Sequence, residues 1–193
     1  MNSNFFNQLQ KAHEEDTFAK FIQDSAISGE LFNILPPLKG LSQIPQDPRW
    51  HPEGDVWTHT LLVIENLPSN ATFALTLSAL FHDVGKATTT VIQETGRITA
   101  YGHENVSKKI ANEMLDILGA DRDLKKQVLF LVGRHMIAHS KDANIKTLRR
   151  LVLEAGSDLV DQLLLHGVAD VKAGCRDFTD CVRLRELFDN MDK

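Results

Sequence analysis

Apolar positions recur along the chain mostly at helical spacing, and strand-like alternation is scarce. Residues His13 to Ala26 are predicted to form a helix with Phe18, Phe21 and Ile22 on one side. Leu35-Pro36-Pro37 ends any helix there, because proline lacks the amide the ladder needs. A polar loop then runs to about Asp55 through Pro45, Pro48 and Pro52. Asp55 is well suited to cap a helix Val56 to Leu67, on which His59 shares a face with Leu62, Val63 and Asn66. Asn70 can cap the next helix, Ala71 to Phe81, which carries Phe73, Leu77 and Leu80. That helix runs into His82-Asp83-Val84-Gly85-Lys86, with Gly85 as its break.

The stretch Thr88 to Tyr101 is β-branched around Glu94-Thr95-Gly96-Arg97, the pattern of a short β-hairpin or an extended lid. Helical spacing resumes from His103 to Leu118 and from Arg122 to Ala138, where Val128, Leu131, Val132, His135 and His139 share a face. A shorter helix, Ile145 to Glu154, is parted by Gly156-Ser157 from one running Leu159 to about Ala173, and Asp177 to Phe188 is the last. No repeat or linker interrupts this order. The expectation is an all-α fold of about six to eight helices in one domain, residues 1–193. Its core is expected over residues 45–173, with the helices at 13–26 and 177–188 packed on it.

Composition narrows the function classes. Hydrophobic residues make up 42% and charged residues 24%, the balance of a soluble globular chain. Lys plus Arg number 21 against 26 acids, a net charge of -5. That argues against a broad coat for nucleic acid or a membrane surface, while leaving room for a local positive pocket. No apolar run is long enough to span a bilayer, and the start Met1-Asn2-Ser3-Asn4 lacks the basic and apolar parts of a secretory signal. A cytoplasmic location is expected. Cys175 and Cys181 read as ordinary reduced thiols rather than a metal knuckle. Eight histidines against one tyrosine is the unusual feature.

The chemistry gathers around those histidines. His82 and Asp83, at the end of an apolar helix, can offer nitrogen and oxygen to one divalent cation. His59 is either a packed core imidazole or a further ligand. Asp170 lies in the apolar run Leu159 to Val171, where a buried carboxylate is costly without a cation or donor; exposure near the helix end is the alternative. His103 and His135 are additional donors that would reach Asp83 if both face it. His103-Glu104 lacks the second histidine of a zinc protease, since position 107 is Ser107. His135 and His139 stand at i, i+4, fit either for one metal or for the negative end of a helix dipole. An N/O donor set of this kind suits manganese, iron, nickel, cobalt or magnesium better than structural zinc.

The ordered pattern His59, His82-Asp83, Asp170 resembles the HD superfamily of metal-dependent phosphohydrolases. More specifically, Trp50-His51-Pro52-Glu53-Gly54-Asp55-Val56-Trp57-Thr58-His59-Thr60-Leu61 is similar to the segment that opens the HD domain of bacterial CCA-adding tRNA nucleotidyltransferases. Phe81-His82-Asp83-Val84-Gly85-Lys86 matches their central motif, and Gly96-Arg97-Ile98-Thr99-Ala100-Tyr101-Gly102-His103-Glu104 the turn that follows. The resemblance implies an HD-type helical bundle with His59, His82, Asp83 and Asp170 as metal ligands, and His103 and His135 for a second ion. It implies one or two divalent ions, with Asp83 and Lys86 in the catalytic role, and Lys86 on a substrate phosphate. His51, Arg134 and His139 are expected on the substrate side, while His13 carries no role and His166 packs or supports.

Roughly residues 45–173 carry the likeness, and the region before them shows no glycine-rich nucleotidyltransferase motif. The implied activity is therefore phosphomonoesterase or 2′,3′-cyclic phosphodiesterase chemistry, by metal-activated water, on a nucleotide, a tRNA or another RNA 3′ end. Two other readings stand beside it. One is a catalytically idle HD-fold module that binds nucleotide or tRNA; the other is a regulatory hydrolase of a signalling nucleotide or dNTP. Retention of all four ligand positions favours an enzyme.

Overall fold

The computed structural model describes residues 3–174 and 177–191. The expected all-α architecture is what it shows: eleven α-helices and one two-stranded hairpin among the described residues. The helices are α1 (Ser3–Glu14), α2 (Phe18–Ser28), α3 (Glu30–Ile34), α4 (Val56–Glu65), α5 (Phe73–Phe81) and α6 (Lys86–Thr89), then α7 (His103–Leu118), α8 (Arg122–Arg134), α9 (Ile145–Ala155), α10 (Ser157–Ala173) and α11 (Thr179–Asp189).

Helix α5 is the hub. Every residue from Ala74 to Phe81 is buried, and the helix touches α1, α4, α7, α8 and α10. A helix that is apolar all round has no solvent face and must be enclosed. One continuous hydrophobic core runs from Phe5 and Leu9 on α1 through α5 to Leu184 on α11. The count exceeds the expected six to eight because α1, α3 and α6 were not legible as separate pieces.

The predicted helix 13–26 is two helices. Helix α1 ends at Glu14, and Asp16 takes a left-handed conformation with φ 54 before α2 begins. Three acids in a row oppose the negative end of a helix dipole, and aspartate tolerates the left-handed region better than most residues. Phe5, Leu9 and Ala12, spaced one turn apart, bury the inner face of α1.

Asp55 caps α4 as expected: the Thr58 amide donates to Oδ1 at 2.9 Å and the Thr58 hydroxyl to Oδ2 at 2.7 Å. The cap of α5 is Thr72 rather than Asn70, with the Leu75 amide donating to its hydroxyl at 3.2 Å. The Thr72 amide also donates to Gln162 Oε1 at 2.8 Å, which ties the start of α5 to α10.

Gly85 does not break the helix by a left-handed turn; its φ of -67 is ordinary. A Cβ there would lie 2.5 Å from the His103 carbonyl oxygen and 2.6 Å from the Ser107 nitrogen. The missing side chain is what lets α7 come this close. Beyond α6, strands β1 (Val91–Ile92) and β2 (Ile98–Thr99) pair antiparallel, with Val91 opposite Thr99, so the region is the short hairpin.

Helix α8 stops at Arg134 instead of continuing to Ala138, and His135–His139 forms a tighter 3-10 turn. The last helix starts at Thr179, whose amide donates to Asp177 at 2.9 Å. Cys181 is buried, with its thiol donating to the Ala138 carbonyl at 3.5 Å, whereas Cys175 lies outside the described residues. No helix among the described residues is long and apolar enough to cross a membrane.

Candidate metal centre

Five parts of the fold send imidazoles and carboxylates to one buried point. His59 comes from the middle of α4, His82 and Asp83 from the end of α5, and His103 from the first residue of α7. His135 and His139 come from the 3-10 turn, and Asp170 with His166 from α10. His59 is 0% exposed, Asp83 2% and Asp170 4%, so none of these groups is a solvated surface side chain. Asp170 is buried, which removes the alternative that its helix face opens to solvent.

The ring orientations follow from local backbone. His82, His103 and His135 each donate Nδ1–H to the carbonyl three residues earlier: Ala79 at 2.8 Å, Ala100 at 2.7 Å and Val132 at 2.7 Å. A carbonyl only accepts, so the proton sits on Nδ1 and the Nε2 lone pair points inward. His59 is held the same way by a carboxylate, donating Nδ1–H to Glu53 Oε1 at 2.6 Å.

Asp83 lies between two groups of these nitrogens. Its Oδ2 is 3.2 Å from His82 Nε2 and 3.8 Å from His59 Nε2. Its Oδ1 is 3.1 Å from His103 Nε2 and 3.8 Å from His135 Nε2. His59, His82 and Asp170 offer donor atoms all within 4.8 Å of one another, and so do Asp83, His103 and His135. Asp83 Oδ1 and His82 Nε2 are buried without a hydrogen bond, while Asp83 Oδ2 meets only the Lys86 ammonium and His59 Nε2 only Asp170 Oδ1, at 2.9 Å. His103 Nε2 and His135 Nε2 face each other at 3.1 Å. Inward-facing lone pairs repel unless a proton or cation lies among them, and buried acceptors left unpaired are costly. The donor chemistry therefore fits divalent metal, and these buried groups can hold it.

The electrostatics point the same way. Burial works against charge on Asp83, yet the His82 imidazole and Lys86 ammonium hold its carboxyl well below the usual range. Asp170 is likewise ionised against burial, by His139 and His59. Burial also opposes charge on His59, but Asp170 and Glu53 outweigh it and raise the imidazole to about 9. Burial, with the neighbouring His82 imidazole, pushes His135 well down and His166 to about 3.

The other expected site residues divide. Lys86 Nζ lies 2.6 Å from Asp83 Oδ2 and donates to Gln46 Oε1 at 2.6 Å. His139 donates Nε2–H to Asp170 Oδ2 at 2.7 Å, and so stands beside Asp170 rather than sharing a donor set with His135. The 3-10 turn explains this, because its tighter winding turns the two imidazoles to different carboxylates. His51 donates Nδ1–H to Glu53 Oε1 at 2.8 Å at the opening of the centre. Arg134 is not brought to the cluster. It donates to both Glu154 oxygens at 3.2 Å and lines a separate groove of about 840 Å³ with Lys108 and Lys126. At the end of α8 the neighbouring His135 turns inward and Arg134 turns toward α9.

One participant, Glu53, was not read from the sequence as such, whereas His166 was expected to pack or support. Glu53 joins His51 to His59, and its Oε2 is buried without a hydrogen bond. His166 packs edge-on to His82 with ring centres 5.1 Å apart, and neither of its nitrogens has a hydrogen-bond partner. Glu53 sits in a loop, where no periodicity marks an inward position; its place between two histidines was the available signal.

Comparison with known proteins decides the relationship. The chain is 31% identical to the Multifunctional CCA protein of Halorhodospira halophila over 135 residues, 69% of this chain and 32% of that protein. The chain is a homologue of the multifunctional CCA proteins. It is 29% identical over 150 residues to that of Teredinibacter turnerae, 77% of this chain and 36% of the relative. It is 32% identical over 126 residues to that of Cupriavidus metallidurans, 64% of this chain and 30% of the relative. The chain thus spans about a third of the length of these relatives. No family model matches it. The resemblance to the HD region of CCA-adding enzymes, read from the motifs around His59, His82 and His103, is borne out.

Proposed function

We propose that the chain is a metal-dependent phosphohydrolase acting on a nucleotide or an RNA-end phosphate, as a phosphomonoesterase or a 2′,3′-cyclic phosphodiesterase. The observation that carries this reading is the Asp83 carboxylate set between two groups of inward-facing imidazoles, with the Lys86 ammonium 2.6 Å away. His59, His82, Asp83 and Asp170 would hold one ion, and Asp83, His103 and His135 a second. A divalent cation there supplies Lewis acidity, which stabilises charge on phosphoryl oxygens and eases the deprotonation of water.

The chain's own groups do the rest. Lys86 contacts a phosphoryl oxygen of the substrate with its ammonium, exchanging its present contact with Asp83 for the substrate's charge. His139 and His59 keep Asp170 ionised and oriented, while Glu53 fixes the ring of His59. His51 stands at the opening, on the substrate side. The enclosing helices exclude bulk water, which strengthens every charge contact inside. The whole chain acts as one domain in this reading, supported by the unbroken core from Phe5 to Leu184. Relatives named CCA proteins support a tRNA or other RNA 3′ end as one form of the substrate.

The test is metal content and hydrolysis measured together on the wild type and on His82→Ala/Asp83→Ala. The panel is 2′,3′-cyclic nucleotides, 2′- and 3′-nucleotides, dNTPs and RNA ending in a 3′-phosphate. The wild type is expected to carry divalent metal and cleave at least one class, and the double variant to lose both. Metal without any cleavage would replace this reading with that of a nucleotide-binding module. Cleavage that survives the double substitution would place the chemistry elsewhere.

A further inference from the structure

The metal centre opens through a small cavity of about 190 Å³, whose walls include His51, Lys86 and His103 on the inside and Trp50, Arg97 and Tyr101 at the rim. Trp50 is 55% exposed and Tyr101 76% exposed. Tryptophan is ordinarily well buried on average, and a single exposed aromatic calls for no explanation. Here two of them border one cavity that leads to a phosphate-type site. Arg97 comes from the turn side of β2 and donates to the Tyr101 hydroxyl at 3.4 Å. The rim therefore combines two aromatic planes and a guanidinium, above inner walls that carry imidazole and ammonium.

Size decides how a ligand sits. Sites that swallow a drug-sized ligand run to about 300–1,000 Å³, so this cavity admits a phosphate and an adjoining sugar but not a whole nucleotide. A planar group attached to that sugar is left at the rim, beside the exposed rings of Trp50 and Tyr101 and the Arg97 guanidinium. We propose that Trp50 and Tyr101 form a stacking platform for the nucleobase next to the phosphate that Lys86 receives, with Arg97 supporting the same platform. This deepens the phosphohydrolase reading by naming what recognises the substrate. Stacking accepts any base, so the platform selects for a nucleoside phosphate over a simple phosphoester and is tolerant of base identity. A free mononucleotide and the last nucleotide of an RNA share this chemistry.

The test uses fluorescence. The chain has two tryptophans, so Trp57→Phe leaves Trp50 as the sole reporter. In that background, 3′-AMP and ribose 5-phosphate are titrated with and without Mn²⁺, and a short RNA with a 3′-phosphate is added as a third ligand. 3′-AMP is expected to quench Trp50 and to bind more tightly than ribose 5-phosphate. In the original sequence, Trp50→Ala and Tyr101→Ala are expected to raise the Kd for 3′-AMP, read calorimetrically, by about 5- to 160-fold each. The Kd for ribose 5-phosphate should stay within about twofold, and Trp50→Phe should restore most of the loss.

Equal losses for both ligands, or 3′-AMP binding no tighter than ribose 5-phosphate, would overturn the platform. So would the absence of binding by either compound. RNA binding far above 3′-AMP identifies a polymer end as the source, and equal affinity a free nucleotide; both support the platform. Binding without hydrolysis would sink the hydrolase reading while sustaining the platform. Hydrolysis of ribose 5-phosphate as efficient as that of 3′-AMP, and unchanged in Trp50→Ala, would do the reverse.

Discussion

Glu53 Oε1 lies 2.6 Å from His59 Nδ1, and the same oxygen receives His51 Nδ1 at 2.8 Å. The contact turns His59 Nε2 inward, 2.9 Å from Asp170 Oδ1. Burial opposes the charge on Glu53, but the two imidazole donors pull its carboxyl down to about 2. It is thus an anion that both orients His59 and raises the basicity of the nitrogen facing the cation site. Loss of such a supporting partner typically costs 10- to 100-fold in metal affinity. Glu53→Gln is expected to weaken Mn²⁺ binding by about that factor, read by competition with a chelator, while circular dichroism stays that of the wild type. Unchanged affinity would make Glu53 a packing residue.

The two groups of donors share Asp83, which makes metal stoichiometry the measure of their independence. His135→Ala removes a nitrogen near Oδ1 only, and His82→Ala one near Oδ2 only. Each is expected to reduce a two-ion chain to about one ion, by elemental analysis, while Asp83→Ala reduces it to about none. Retention of both ions in Asp83→Ala would remove that carboxylate from the shared position.

Much of this arrangement is legible in the amino-acid sequence. Helix α7 follows the helical repeat read over about His103 to Leu118, and the structure adds the left-handed Gly102 and Gly119 that flank it. The candidate ligands His59 and Asp170 are readable because each interrupts an apolar face, where a polar group needs a partner, and His82 because it stands where an apolar helix ends. What escaped depended on contacts distant in sequence. His135 and His139 share a face on an ideal α-helix, but the tightening to a 3-10 turn sends one to Asp83 and the other to Asp170. Arg134 adjoins a site residue in sequence, yet Glu154 on α9 draws it away. Gly85 reads as a helix end until the His103 backbone is seen pressed against it.

Removing metal should loosen the fold. Without a cation, His103 Nε2 and His135 Nε2 face each other at 3.1 Å and several buried acceptors have no hydrogen bond. A ligand that binds only the folded chain at 100 times its Kd stabilises it by about 2.7 kcal/mol. For a chain of this size that corresponds to a rise of roughly 5–10 °C in Tm. Mn²⁺ is expected to raise the Tm of chelator-treated protein by that amount in calorimetry, with His82→Ala/Asp83→Ala showing no rise.

His13 offers a pH test outside the metal centre. It stacks on Phe73 with ring centres 5.3 Å apart, and its Nδ1 lies 3.1 Å from the Thr76 hydroxyl. Burial lowers its pKa despite the opposing pull of Glu14 and Asp16. The unfolded chain then binds the proton more readily, so this group's contribution is present above about pH 6.5 and is lost as pH falls below it. His13→Gln is expected to flatten the stability curve on that acid side in urea titrations. An unchanged slope would mean that His13 titrates alike in both states.

Among the described glycines, Gly167 leaves the least room for a side chain, which supplies a packing test. A Cβ on Gly167 of α10 would lie 2.1 Å from Ala138 Cβ, in the turn that carries His135 and His139. Real side chains do not approach so closely, and the contact is between a helix and a buried turn with no flexible chain end to yield. Gly167→Ala must push the turn outward. Overpacking of this kind costs about 1–3 kcal/mol, and here it also separates His135 from Asp83 and His139 from Asp170. Both stability and metal affinity are therefore expected to fall together. Ala138→Gly removes the opposing methyl, so Gly167→Ala/Ala138→Gly should recover much of each loss, beyond the sum of the single effects. If the double variant is as poor as the additive sum, the two residues do not meet, and the path of α10 past the 3-10 turn would have to be redrawn.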